Sequence, residues 1–201
     1  MRIVGAARWE DLLWEWARAE WRSPRFAAWY PQDPAILARL DTGAAFGGDD
    51  LDWRILDGVA RARGLLLDGL DLAGLDVHRA LLAPAEIAGL GLFRDPGFRR
   101  LCPTATCLGD LADSLAADLP EHREVPLAAA YHALGPNFDP AQMRGRPILL
   151  AANAAGPFLL LEGYCRLLRL LALHGAGQEV VEIPVMIGLW PELPGWKRVI
   201  P

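Results

Sequence analysis

The chain has 201 residues, 53% hydrophobic and 22% charged, with a formal net charge of −5. That composition can bury a core of domain size, and the acidic balance argues against nonspecific duplex DNA binding, which needs a basic surface to neutralise phosphates. Three cysteines lack disulfide-framework spacing, the N-terminus carries charge too early for a signal peptide, and every apolar run is broken well before the about 18 residues of a membrane span, which together imply a reduced, cytoplasmic protein with no membrane segment.

Trp9, Leu12, Leu13, Trp16 and Ala19 recur at three- and four-residue spacing, predicting a helix over 8–30 with one apolar face. Trp9, Trp14, Trp16 and Trp21 crowd this stretch. They either pack the helix onto the rest of the chain or present a face to a protein partner, since Trp is enriched among interface anchors. Pro24 disfavours helical geometry at Ser23 and is expected to interrupt the helix. A short helix follows at 34–40. "FGGDD" (46–50) reads as a turn in which Asp49 or Asp50 caps a helix over 50–63 ending at Gly64, with a metal-binding Asp pair as the alternative. Leucines interleaved with Asp and Gly over 64–76 read as a turn without a second copy.

A strand is expected over 77–84, a helical turn within "AEIAGLGLF", and a loop over 94–107. Leu111, Leu115 and Leu119 place a stripe on a helix over 110–119 that Pro120 ends. Another helix, 126–134, leads to a loop, "GPNFDP", at 135–140. Cys102 and Cys107, with His122 and His132 downstream, do not have zinc-site spacing.

The last third carries the clearest pattern. Pro147 opens the apolar run "ILLAAN", "AAGP" supplies a turn, and "FLLLEG" is a second run. Tyr164 to His174 fits a three-turn helix with Gly175 as its C-terminal glycine. "EVVEIPVMIGL" (179–189) is β-branched and reads as a strand. "WPELPGWKRVIP" closes the chain as an irregular tail. The order strand, turn, strand, helix, strand predicts a small mixed sheet in an α+β fold, taken as a domain over 77–201. Residues 1–76 form an added, mostly helical region packed on it, because no polar linker separates the two.

The junction "LEGYCRLLR" (161–169) holds the candidate site. A glycine between a strand and a helix allows close approach, and the helix N-terminus offers unpaired N–H groups and partial positive charge. Arg166 adds a guanidinium fork suited to phosphate, Arg169 lies three residues on, and Glu162 precedes the glycine. Such a set could hold a phosphate and orient a hydroxyl or water. The same residues also fit a plain turn in which Gly163 bends the chain and Glu162 pairs with Arg166. Cys165 fits either a thiol activated at a helix N-terminus or a small residue filling space.

Residues 146–188, "RPILLAANAAGPFLLLEGYCRLLRLLALHGAGQEVVEIPVMIG", resemble the core of the ParB/sulfiredoxin-like superfamily. Pro147-Ile148 match its first "QPI" strand, Gly163-Tyr164-Cys165-Arg166 its Gly-x-x-Arg box, and Ile183-Pro184-Val185 its following strand. An extended resemblance runs over 77–190, beginning with "VHRALLAPAEIAGL". Tyr164 and Cys165 stand where sulfiredoxins have Cys-His and partitioning proteins Glu-Arg, and Leu168 stands where the latter carry a further arginine. The resemblance implies a nucleoside triphosphate or diphosphate at the box, taken with Mg²⁺, bound through Gly163 and Arg166 with Tyr164 and Cys165 as the box's middle positions, and Arg169, on the same helix face, is added to the set. Glu162 and Arg166 would then serve phosphotransfer or nucleotide hydrolysis. The alternative is a nonenzymatic regulatory or interaction module on the same fold, its partner held by the Trp-rich N-terminus.

Overall fold

Apolar runs too short for helices and bounded by Pro, Gly or polar residues become the central strands, and they are buried on both faces as such runs require. The computed structural model describes residues 1–135, 138–140 and 143–199. Among these the chain is α+β, with seven α-helices and one six-stranded mixed sheet. The strands are β1 (Arg2–Ala6), β2 (Asp76–Leu82), β3 (Gly91–Leu92), β4 (Ile148–Ala151), β5 (Leu159–Glu162) and β6 (Ile183–Leu189), in spatial order β1-β2-β6-β4-β5-β3. β4 lies parallel to β6 and antiparallel to β5, and β2 lies antiparallel to both β1 and β6.

The helices are α1 (Trp9–Glu20), α2 (Pro34–Asp41), α3 (Asp50–Leu67), α4 (Pro96–Leu101), α5 (Leu108–Ala116), α6 (Pro126–Ala133) and α7 (Tyr164–Gly175). Several differ from expectation for identifiable reasons. The 8–30 helix stops at Glu20, and the Pro24 stretch turns as a short 3-10 segment. α3 runs through Gly64 to Leu67 instead of ending there; one interior glycine costs only about 1 kcal/mol, and the buried stripe Ile55, Leu56 and Val59 holds the helix in place. Asp49 caps α3, accepting a hydrogen bond from the Asp52 N–H at 2.9 Å. The expected loop at 94–107 contains α4, which carries both a capping Asp95 and a proline at its first position.

Gly175 is the last helical residue of α7, and Gly177, at φ +78°, takes the left-handed position beyond it. The N–H of Gln178 bonds the carbonyl of Leu173 and that of Gly177 the carbonyl of His174, each at 3.0 Å, which completes the Schellman closure. The loop expected at 135–140 includes Pro136 and Asn137, which lie outside the described residues, as do Ile200 and Pro201 of the tail. Within that tail Trp196 is buried and its indole N–H donates to the Asp68 carbonyl at 2.9 Å.

Residues 1–76 supply more than helices. Arg2–Ala6 is an edge strand paired with β2, and α1 packs on α3 and reaches β6. One continuous cluster of buried side chains runs from Leu12 to Trp196, so this region and the sheet share a core. Trp14, Trp16 and Trp21 belong to that core, while Trp9 is half-buried against Trp53 at the surface. No helix among the described residues is long and apolar enough to cross a membrane.

Candidate functional site

The β5–α7 junction opens into a cleft of about 740 Å³ walled by the C-terminal part of α1, the 25–29 segment, the last turns of α3 and the start of α4. A volume of this size is in the range of small-molecule sites. Gly163 makes the junction. Its φ is +107°, and a Cβ there would lie 2.9 Å from Pro147 Cβ, so both backbone conformation and space exclude a side chain. Gly163 thus lets β5 turn directly into α7 while its neighbour strand passes close by.

Glu162, the last residue of β5, and Arg166, in the first turn of α7, form an ion pair across the Gly163 turn, and both side chains are largely buried. The same guanidinium donates to the carbonyls of Arg144 and Gly145, at 2.6 Å each, tying the segment before β4 to α7. Burial pushes the Glu162 carboxyl above its ordinary range; the Arg166 charge opposes this and the nearby carboxylate of Glu20 adds to it. A carboxylate shifted in this sense is a stronger proton acceptor than one in water.

Tyr164 turns inward. Its hydroxyl donates to the Leu160 carbonyl and its ring packs on Phe98 with centroids 4.5 Å apart. Burial holds this phenol well above the usual range. Cys165 is not an activated thiol: burial pushes it up to about 11, and its Sγ lies 3.8 Å from the Leu127 carbonyl. The two residues line the cleft through a helical turn whose side chains serve the core. Arg169 is drawn elsewhere. Its Nε donates to the Gly135 carbonyl at 2.8 Å and its guanidinium lies 4.8 Å from the Tyr131 ring centre, so it does not join Glu162 and Arg166 in the cleft.

A second charged group completes the wall opposite. Glu20 is 3% exposed. It accepts bonds from Arg63 Nε and from the Tyr30 hydroxyl, both at 2.8 Å, and a further contact from the Arg63 guanidinium. Arg63 in turn lies over Phe26 (4.2 Å), Trp29 (4.9 Å) and Trp16 (6.0 Å). Sequence reasoning missed Glu20 and Arg63, although a signal existed. Leu13, Trp16 and Glu20 follow one stripe of α1, and Leu56, Val59 and Arg63 one stripe of α3. A charge that continues an apolar stripe is a charge the fold must bury and pair.

Among the described lining residues five arginines, Arg25, Arg61, Arg63, Arg166 and Arg198, face three carboxylates, Glu20, Asp95 and Glu162. The cleft is therefore cationic within a chain of net charge −5. Among the described residues no three His, Cys, Asp or Glu side chains converge as a metal site, and this covers Asp49 and Asp50 as well as Cys102 and Cys107. Glu20 and Glu162 are each already bound to an arginine. No family model, curated protein or solved structure matches the chain.

Proposed function

We propose that the cleft binds a nucleotide, its phosphates at the first turn of α7 near Arg166. The observation that carries this reading is the cationic cleft gathered at the Gly163 turn of an otherwise acidic chain. A helix N-terminus and arginine forks supply donors and positive charge of the kind phosphate oxygens require. The succession β4, β5, Gly163 turn, α7, β6 accompanies the resemblance to ParB/sulfiredoxin-like proteins and supports the same reading. Among the described residues no three His, Cys, Asp or Glu side chains gather as a cation cage, so Mg²⁺ enters this proposal only as the counterion of the nucleotide.

The proposed chemistry is phosphotransfer or nucleotide hydrolysis. Glu162 accepts the proton of the attacking hydroxyl or water, a role suited to its raised basicity, and becomes a neutral carboxyl; the attacking oxygen bonds to the terminal phosphorus as the phosphoanhydride bond to the leaving nucleotide breaks, and Arg166 balances the charge on the phosphate oxygens. A second reading is a nonenzymatic regulatory module, and the engagement of Arg166 with Glu162 and two backbone carbonyls favours it.

Calorimetric titration with ATP, ADP and CTP in Mg²⁺ tests the proposal. Arg166→Ala, shown to be folded by circular dichroism, is expected to weaken binding by about 1.5–3 kcal/mol, the range for a charge-assisted hydrogen bond. Turnover lost in Glu162→Gln with binding retained supports the enzyme. Binding without turnover in the wild type supports the regulatory module. A folded wild type that binds none of the three nucleotides refutes the proposal.

A further inference from the structure

The aromatic and guanidinium wall opposite the Gly163 turn belongs to no expected motif, and its composition speaks to what the rest of the ligand is. Trp29 is 55% exposed although it lines the cleft. A large indole left half in water at the mouth of a concave site is an unfilled apolar surface. It is also braced. Phe26 lies 5.5 Å from it, centroid to centroid, and the Arg63 guanidinium 4.9 Å from its ring centre.

Arg63 is itself fixed, because Glu20 binds it through two of its nitrogens and Tyr30 anchors Glu20 from the other side. The platform is thus held in place before any ligand arrives, which lowers the ordering cost of stacking a ring on it. Trp16, only 1% exposed, also lines the cleft, and its indole N–H has no hydrogen-bond partner among the described residues. A buried donor of this kind is normally satisfied by protein, water or ligand.

We propose that Trp29 is a stacking platform for the planar ring of the ligand, so that the cleft selects a ring-bearing nucleotide over the bare phosphate chain. This rests on the nucleotide reading of the cleft and divides the ligand between two walls. The base lies against the N-terminal segment and the phosphates against α7. Residues 1–76 are then part of the binding site rather than a covering.

Calorimetry with two probes, ATP and inorganic triphosphate, each with Mg²⁺, tests the division. Trp29→Ala is expected to weaken ATP about 5- to 150-fold, the range that base–aromatic stacking supplies, and to leave triphosphate affinity unchanged. Trp29→Phe is expected to retain most of the ATP affinity, because it keeps a stacking face. Arg166→Ala is expected to weaken both probes. If Trp29→Ala leaves ATP binding intact while Arg166→Ala weakens it, or if Trp29→Ala weakens ATP and triphosphate equally, the platform is refuted and the nucleotide reading survives. If the wild type binds neither probe, the reading falls and the platform with it.

Discussion

Replacing Glu20 with leucine removes the centre of the wall behind Trp29. Glu20 is almost wholly buried and the Arg63 side chain is 12% exposed, so water screens their interaction weakly. The substitution leaves a guanidinium buried among Phe26, Trp16 and Trp29 without its hydrogen-bonded counter-charge, the Glu162 carboxyl being the more distant acidic group that still acts on it, and takes the acceptor from the Tyr30 hydroxyl. Breaking a buried pair from one side costs about 3–5 kcal/mol. The orphaned hydroxyl, worth about 1–3 kcal/mol alone, is part of that total because the groups share one network. With a urea m-value of about 2 kcal/mol/M, the midpoint falls by about 1.5–2.5 M. The double variant Glu20→Leu/Arg63→Met removes both charges and is expected to recover more than half of the loss. A single variant costing under about 1 kcal/mol, or a double variant less stable than the single, refutes the claim that this pair is a buried clamp.

Gly163→Ala places a Cβ against Pro147 at a positive φ, and the sum of backbone strain and overpacking predicts a loss of about 2–5 kcal/mol in chemical denaturation. Cys165, held at about 11, is expected to alkylate roughly two orders of magnitude more slowly at pH 8 than an unperturbed thiol, a difference that peptide mapping by mass spectrometry reads directly. The unfolded chain gives up this proton first, near the ordinary value of 9.0, and so binds fewer protons than the folded chain between about pH 9 and 11. Stability relative to Cys165→Ala therefore falls as pH rises through that window, measured as the difference in unfolding midpoint.

Much of the architecture was legible locally. The runs "ILLA", "LLLE" and "IPVMIGL" became β4, β5 and β6, and the helix between them begins at Tyr164 as its glycine turn requires. What periodicity could not place were features whose cause lies elsewhere in the chain. β1 lies exposed at the sheet edge and "RIVGA" carries no buried apolar run to read as a strand; it is a strand because β2 offers a paired edge. Gly177 rather than Gly175 closes α7, since backbone hydrogen bonding chose between two nearby glycines.

The candidate site divides in the same way. Spacing alone placed Glu162 and Arg166 on either side of the glycine that joins a strand to a helix, and a turn that tight brings the two side chains together. Only the tertiary structure decided that Arg169 faces Tyr131 instead, that Tyr164 and Cys165 pack on the core, and that α1, the 25–29 segment and α3 bring Glu20, Trp29 and Arg63 together in the same cleft. Arg63 and Glu20 are 43 residues apart. A contact of that kind depends on which buried stripes meet, and the free energy that selects it comes from the whole shared core.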